Sequence, residues 1–338
     1  MSGGDRTDSV GDMVNAQRRV GDSGLVVSAA GLGCNNFGRP GTATETIQGS
    51  RVVIDAAIDQ GMFFFDTADM YGRGGTSESY IGEAIEGRRD RVVLATKFGH
   101  EYDMGYGFPG GRGSRRYVRF AVEQSLRRLR TDWIDLYQLH LPDVETPIAE
   151  TIDALDELVD EGKIRYYGHS NFTGWQVAEA EFTARGRSTG RFVSAQNQYS
   201  LLARGAEREV LPAVSRYGLG FFPFFPLHNG LLTGKFTRDG GPSGSRIMNE
   251  RRFIWENAPW DALEAYAAFC AERGITMLEA TYGWLLAQPG VSSVIAGATT
   301  AAQVESNVRA AVAWQPDAED LAAIDALFPL PEDPAVGL

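Results

Sequence analysis

Short apolar runs alternate along this chain with segments whose apolar positions recur every three or four residues. The runs lie near 30–34, 62–66, 92–96, 134–139, 164–168, 192–196, 220–224 and 292–296. Several are almost wholly apolar, as expected of strands covered on both faces. Between them the period changes. Ile148, Ile152, Leu155 and Val159 repeat at 4-3-4 spacing. Thr146 reads as the N-cap of that helix, Pro147 as its first residue and Gly162 as its end. Val118, Val122, Leu126 and Leu129 mark another helix at 4-4-3. Eight strands, each followed by a helix, predict an α/β protein of the (β/α)8 TIM-barrel class rather than a doubly wound sheet. Ahead of the first run, Arg18 to Ser28 reads as two short strands around Gly21-Asp22-Ser23-Gly24. This N-terminal β-hairpin is expected to plug one end of the barrel. No internal repeat is visible.

Two segments break the alternation and are expected to form loops at the barrel mouth. Residues 233–258 combine Gly234, Gly240, Gly241, Pro242 and Gly244 with Lys235, Arg238, Arg246, Arg251 and Arg252. They read as a basic, flexible insertion after the seventh strand. Residues 100–114 are Gly-rich and carry Tyr102, Tyr106 and Phe108. Long loops of this kind are usually functional or disordered. Gly105-Tyr106-Gly107-Phe108-Pro109-Gly110 spells G-x-G-x-x-G but follows no strand, and Pro109 interrupts any helix. The dinucleotide fingerprint needs strand, turn and helix in order, so the match is set aside. The domain reading is a mobile tail over 1–16, a barrel over 17–328 and a surface tail over 329–338.

Composition narrows the function. The 338 residues carry a formal charge of -12, which argues against a general nucleic-acid surface. No stretch approaches the roughly 20 apolar residues of a membrane span. The first residues lack the apolar core of a signal peptide. Cys34 and Cys270 have no metal or redox spacing, which fits a reducing compartment. The expectation is a cytoplasmic protein that binds no nucleic acid or membrane, and nothing identifies a protein partner.

Four ionisable side chains fall at or just beyond predicted strand ends: Asp66, Tyr71, Lys97 and His140. In a closed parallel barrel such ends meet at one mouth. An ammonium beside a phenol favours its ionised form, and a carboxylate beside the ammonium keeps that group charged. An imidazole can orient a carbonyl oxygen. Together the four could protonate such an oxygen as hydride reaches its carbon. Taken singly, the aspartate could be a cap, the lysine a rim charge or a Schiff-base nucleophile, and the histidine a structural residue. Convergence at successive strand ends favours the joint reading.

The segment Phe64-Phe65-Asp66-Thr67-Ala68-Asp69-Met70-Tyr71-Gly72, followed by Ser77-Glu78 and Gly82, resembles the first signature of the aldo-keto reductase family. Leu94-Ala95-Thr96-Lys97 and Ile134-Asp135-Leu136-Tyr137-Gln138-Leu139-His140 resemble its lysine and histidine strands. The likeness runs from about Arg19 to Ala326. It implies a (β/α)8 barrel, reversible reduction of aldehydes or ketones, and an NADPH cofactor, with NADH not excluded. Asp66, Tyr71, Lys97 and His140 take the places of the family's catalytic tetrad.

The same resemblance implies the cofactor side. Gly168-His169-Ser170-Asn171 is similar to the family's G-x-S-N, in which Ser170 and Asn171 would meet the nicotinamide amide together with Gln196. Phe224-Phe225-Pro226-Leu227 occupies the aromatic-Ser-Pro-Leu position, with Phe224 against the nicotinamide and Phe225 in place of serine. Gly230 and Lys235 belong to a matching loop on the pyrophosphate. Gly297, Thr299, Gln303 and Asn307 match a segment expected to hold the adenine end. Thr299 stands where many members carry a cation, so Arg246, Arg251 or Arg252 would supply the charge for a 2′-phosphate. Cys34 and Asn35, after the turn Gly31-Leu32-Gly33, are expected to line the pocket. Asn35, Phe37, Tyr102, Tyr106, Phe108, His228 and Trp255 are the expected substrate contacts. Two other readings remain: a slow-turnover, cofactor-sensing accessory subunit, and a Schiff-base lyase acting through Lys97.

Overall fold

The computed structural model describes residues 16–102, 104–187 and 189–330. The C-terminal tail from residue 331 and the N-terminal tail through residue 15 lie outside the described residues. Ala16 is already part of the fold, because its carbonyl accepts from Ala29 N at 2.8 Å.

β1 (Gln17–Arg19) and β2 (Val26–Ser28) pair antiparallel as a hairpin. Eight parallel strands follow: β3 (Ala30–Gly33), β4 (Phe64–Asp66), β5 (Val93–Phe98), β6 (Ile134–Leu139), β7 (Ile164–Ser170), β8 (Ser194–Gln198), β9 (Gly220–Phe224) and β10 (Val294–Gly297). Their order is β10-β3-β4-β5-β6-β7-β8-β9. The seam between β9 and β10 is closed by a parallel bridge of Phe221 with Val291. Phe221 N donates to Gly290 O at 2.7 Å, and Ser292 N donates to Phe221 O at 2.9 Å. All eight strand positions anticipated from the apolar runs are occupied, and helices surround them.

Period-two alternation sorts the strand side chains into two layers. Phe65, Leu94 and Tyr137 point outward into a core shared with the helices. Phe64, Ala95, Leu136, Phe222 and Ile295 point inward and pack with Val20, Leu25 and Val27 of the hairpin segment. The hairpin therefore seals the end where the strands begin. The approach is tight at Gly220, where a Cβ would lie 2.5 Å from Val20 Cγ1. Further along the inward face of four of these strands the lining is polar, with Asp66 on β4, Lys97 on β5, Gln138 on β6 and Gln196 on β8.

The helix Arg115–Leu129 buries Val118, Val122, Leu126 and Leu129, as its spacing predicts. The helix Ile148–Asp160 starts one residue later than expected. Pro147 is its N-cap, with an extended ψ of 131°, and no side chain caps it. Thr146 is buried rather than serving as a cap. The basic insertion is more ordered than its composition suggests. It folds into two short helices, Arg246–Glu250 and Arg252–Glu256, the first capped by Ser245. Among the described residues no helix is long and apolar enough to cross a membrane, and no group of acidic, His or Cys side chains is arranged to hold a metal.

Candidate functional site

The polar upper layer forms one connected constellation. Lys97 Nζ donates to Asp66 Oδ2 at 2.5 Å and to the Thr67 carbonyl at 3.1 Å. Both partners are almost fully buried, at 1% and 5% side-chain exposure. Asp66 Oδ1 accepts from Gln138 Nε2 at 3.1 Å and from Gln196 Nε2 at 3.0 Å. The buried carboxylate thus has partners on both oxygens, which a charge in a low-dielectric interior requires. Burial alone would lower the Lys97 pKa, but Asp66 and Tyr71 outweigh it and hold the amine above its usual value. Lys97 is therefore an ammonium at neutral pH.

Tyr71 stands over this pair. The Lys97 nitrogen lies 5.4 Å from its ring centroid, and the His140 ring meets it edge-on at 6.0 Å. Burial raises the Tyr71 pKa; Lys97 opposes and Asp66 reinforces the rise. The ammonium acidifies the phenol, as its place in the sequence implies, but desolvation wins and the phenol keeps its proton. His140 shifts the other way. Burial, then Lys97 and His100, pushes its pKa well below the usual histidine range, so the ring is neutral. Its Nδ1 is buried without a hydrogen-bond partner among the described residues.

The backbone explains why these groups converge. Thr67 N and Asp69 N donate to Ala95 O and Lys97 O at 2.9 and 3.0 Å, extending the β4–β5 ladder into the loop that carries Tyr71. Gly72, at φ 71°, turns that loop where a Cβ would lie 2.7 Å from Phe37 O. Ser77 Oγ donates to Cys34 O at 2.8 Å and shares a 2.9 Å hydrogen bond with Thr67 Oγ1. Glu78, fully buried, accepts from Thr96 Oγ1 and Arg128 Nε, each at 2.6 Å. Gly82 lets its helix touch the next one, since a Cβ there would lie 2.5 Å from Leu129 C.

The amide-bearing side of the mouth is also assembled. Asn171 adopts a left-handed φ of 62°. Its Nδ2 donates to His140 O at 2.9 Å and to Ser170 Oγ at 3.0 Å. Gln196 contacts Asp66 through its amide nitrogen, a partner its sequence context did not suggest. Among the described residues Asn171 Oδ1 and Gln196 Oε1 take no hydrogen bond, and the Ser170 hydroxyl proton is unassigned. Two free acceptors and one donor match the needs of a primary amide. Phe224 and Phe225 meet edge to face at 5.5 Å, with Phe225 at φ 51°. Pro226 is buried, Leu227 and Gly230 are half-buried, and Lys235 is exposed. Gln303 Oε1 is engaged by the backbone N–H and hydroxyl of Thr299, at 2.7 and 3.1 Å. Asn307 is buried on the same helix, and Gly297 is exposed with Asn36 beside it. Arg246 is half-buried beside Glu250, whereas Arg252 is exposed and pairs with Glu256.

Several expected pocket residues face elsewhere. Phe37 is fully buried. Tyr106 and Phe108 fold back onto the helix Arg115–Leu129, packing on Phe120 at 4.9 and 4.7 Å. Arg128 Nη1 donates to Tyr106 Oη at 2.8 Å. Trp255 meets Trp260 edge-on at 6.0 Å and donates to Thr237 O. The Cys34 thiol is buried, and burial, then Asp66, pushes its pKa well up, so it is no thiolate. Gln138, Asp69 and Arg39 also belong to the site or its rim, although no sequence motif assigned them a role. Gln138 lies two residues before His140, which directly follows β6, and that period-two spacing points to a shared face.

Comparison with known proteins agrees with the architecture. The family model described as "Aldo/keto reductase family" matches residues 30–328. An "Uncharacterized oxidoreductase YrpG" of Bacillus subtilis is 38% identical over 320 residues, covering 92% of this chain and 95% of the relative. The "L-glyceraldehyde 3-phosphate reductase" of Escherichia coli K12 is 32% identical, covering 91% of each. A "Probable voltage-gated potassium channel subunit beta" of Arabidopsis thaliana is 31% identical, covering 87% of this chain and 90% of the relative. With a family match over almost the whole length and the (β/α)8 barrel beneath it, the chain belongs to the aldo/keto reductase family of oxidoreductases.

Proposed function

We propose that this protein is a nicotinamide-dependent carbonyl reductase in which Tyr71 is the proton donor. The observation that carries the reading is the buried Lys97–Asp66 pair at 2.5 Å beneath Tyr71, with a neutral His140 beside it. A dinucleotide held by Ser170, Asn171 and Gln196 would supply a hydride for the substrate carbon. The carbonyl π pair then moves to oxygen, which takes the Tyr71 proton, and the tyrosinate is reprotonated from solvent. A donor must carry its proton at rest, and the raised Tyr71 pKa meets that requirement. The Lys97 ammonium stabilises the tyrosinate as it forms, a demand that exists only during proton transfer. Neutral His140 orients the carbonyl oxygen. Asp66, held by Gln138 and Gln196, fixes the lysine.

Ser170, Asn171 and Gln196 fit the carboxamide of a nicotinamide, and Phe224 offers a ring for stacking. We assign Lys235 and Gly230 to the pyrophosphate, and Thr299, Gln303 and Asn307 to the adenine end. Arg246 is assigned to the 2′-phosphate of NADPH in preference to Arg252, which is exposed and paired with Glu256. The lyase alternative is disfavoured, because a Schiff-base lysine must be neutral and Lys97 is held charged. The relative named as a channel β subunit keeps a cofactor-sensing role in view. Measured turnover separates the two readings, since a sensor would bind cofactor tightly yet reduce every aldehyde slowly.

The test is Tyr71→Phe. Loss of the donor should cost about 10²–10⁴ in kcat, while NADPH still quenches the fluorescence of the six tryptophans. Full turnover in the variant would remove the hydroxyl from the reaction. A parallel titration with NADH reads the cofactor preference.

A further inference from the structure

The mouth carries a concentration of positive charge in a protein whose formal charge is -12. Arg39 lies on the loop after β3, which packs against the Tyr71 loop so closely that a Cβ on Gly38 would sit 3.4 Å from Gly72 Cα. Its Nη2 donates to Asn35 O at 3.2 Å. Arg251 comes from the insertion after β9. Its Nη1 donates to Asn229 Oδ1 at 3.2 Å, and its guanidinium lies 5.5 Å from the Phe225 ring centroid. Arg246, one short helix earlier, pairs with Glu250 at 3.5 Å. Among the described residues Arg39 and Arg251 have no ion-pair partner, only neutral oxygens.

The three arginines sense one another. Burial lowers the Arg39 pKa, Arg251 pushes the same way, and Glu250 and Tyr71 oppose. Arg246 is brought down to about 10 by burial, then by Arg39 and Arg251, against Glu250 alone. Three half-buried cations with one carboxylate are self-repelling, and an anion between them relieves that repulsion. Guanidinium forks suit carboxylate and phosphate alike. The loop that carries Arg39 also reaches the reacting end of the site, because Gly38 packs against Gly72, the neighbour of Tyr71.

Resting on the reductase reading, we propose that Arg39 and Arg251 form a subsite for the anionic group, carboxylate or phosphate, of a carbonyl substrate whose C=O lies at Tyr71. Arg246 is left to the cofactor. The preferred substrates are then anionic aldehydes or ketones rather than neutral aromatic ones.

The experiment compares 4-carboxybenzaldehyde with its neutral near-isostere 4-carbamoylbenzaldehyde. The wild-type protein should favour the carboxylate by about tenfold or more in kcat/KM, as expected for a charge-assisted hydrogen bond. Arg39→Ala and Arg251→Ala should each bring the ratio to within about twofold. Arg238→Ala, which removes an exposed arginine paired with Asp261 and Glu264, should keep it. Equal use of the two aldehydes by the wild-type protein overturns the proposal. So does a ratio that survives in both variants while their NADPH dissociation constants rise, which would give the whole cluster to the cofactor. Should neither aldehyde be reduced, the reductase reading fails. Calorimetric binding of the same pair in the presence of NADP+, which has no hydride to give, then decides alone. A carboxylate preference lost in Arg39→Ala sustains the subsite, and equal binding overturns it.

Discussion

Asp69→Asn should stabilise the protein, and by more at pH 8 than at pH 5. The Asp69 carboxylate lies between the β4 strand end and Tyr71 with 2% exposure, and neither oxygen has a hydrogen-bond partner among the described residues. Burial, then the Glu78 charge, raises its pKa from 3.8 to about 7, against the pull of Arg128. A group whose folded pKa lies above its unfolded value binds the extra proton in the folded state. Its favourable contribution is complete below the unfolded pKa and is lost as pH climbs through the folded one. The window is therefore about pH 4 to 7. Three pH units at about 1.4 kcal/mol each give about 4 kcal/mol of destabilisation at pH 8. Asparagine never ionises, so the variant escapes that penalty. The advantage of Asp69→Asn should be about 1–2 kcal/mol at pH 5 and about 4 kcal/mol at pH 8. Urea unfolding followed by tryptophan fluorescence at the two pH values measures it. An advantage independent of pH, or a variant less stable at pH 8, would show that the carboxylate is solvated or paired and would refute the reasoning.

Gln138→Leu removes one of the two amides on Asp66 Oδ1. A hydrogen bond to a buried charge contributes about 1.5–3 kcal/mol, so kcat should fall by about tenfold or more with KM nearly unchanged; an unaltered kcat would make Gln138 a bystander. Because His140 is neutral, with its pKa well below 6.5, kcat should show no ionisation of this ring between pH 6 and 8, and a His140→Asn profile should match in shape across that range. A wild-type inflection near pH 6.5 that disappears in His140→Asn would contradict the neutral ring. Gly220→Ala places a methyl 2.5 Å from Val20 Cγ1 and 2.7 Å from Ser292 Oγ. Overpacking of this kind costs about 1–3 kcal/mol, readable as a lower urea midpoint; no change would mean that the hairpin yields freely.

The strands were legible because both of their faces are covered, so apolar runs mark them without ambiguity. Asp66 and Lys97 stood out as charges ending such runs. Gln138 sits inside an apolar run, where only its inward-facing position on β6 distinguishes it from an ordinary strand residue. Arg39 and Arg251 could not be linked from sequence, because they lie on loops more than two hundred residues apart, one after β3 and one after β9. Tyr106 and Phe108 were misplaced for the opposite reason. An aromatic ring in a Gly-rich loop can face a ligand or a neighbouring helix, and Phe120 and Tyr117 supplied the helix side. At Thr146-Pro147 the cap signal slipped by one residue, since the threonine is buried and the proline itself takes the extended conformation.

The seal made by Val20, Leu25 and Val27 turns the barrel into a blind well. Among the described residues that packing closes the end where the strands begin and leaves the polar layer at the opposite end. If the proposed dinucleotide lies across that rim with the carbonyl compound beneath it, traffic is expected to be sequential: the larger guest settles before the smaller one and departs after it. Steady-state inhibition by the product alcohol and by the oxidised dinucleotide would carry the imprint of that queue.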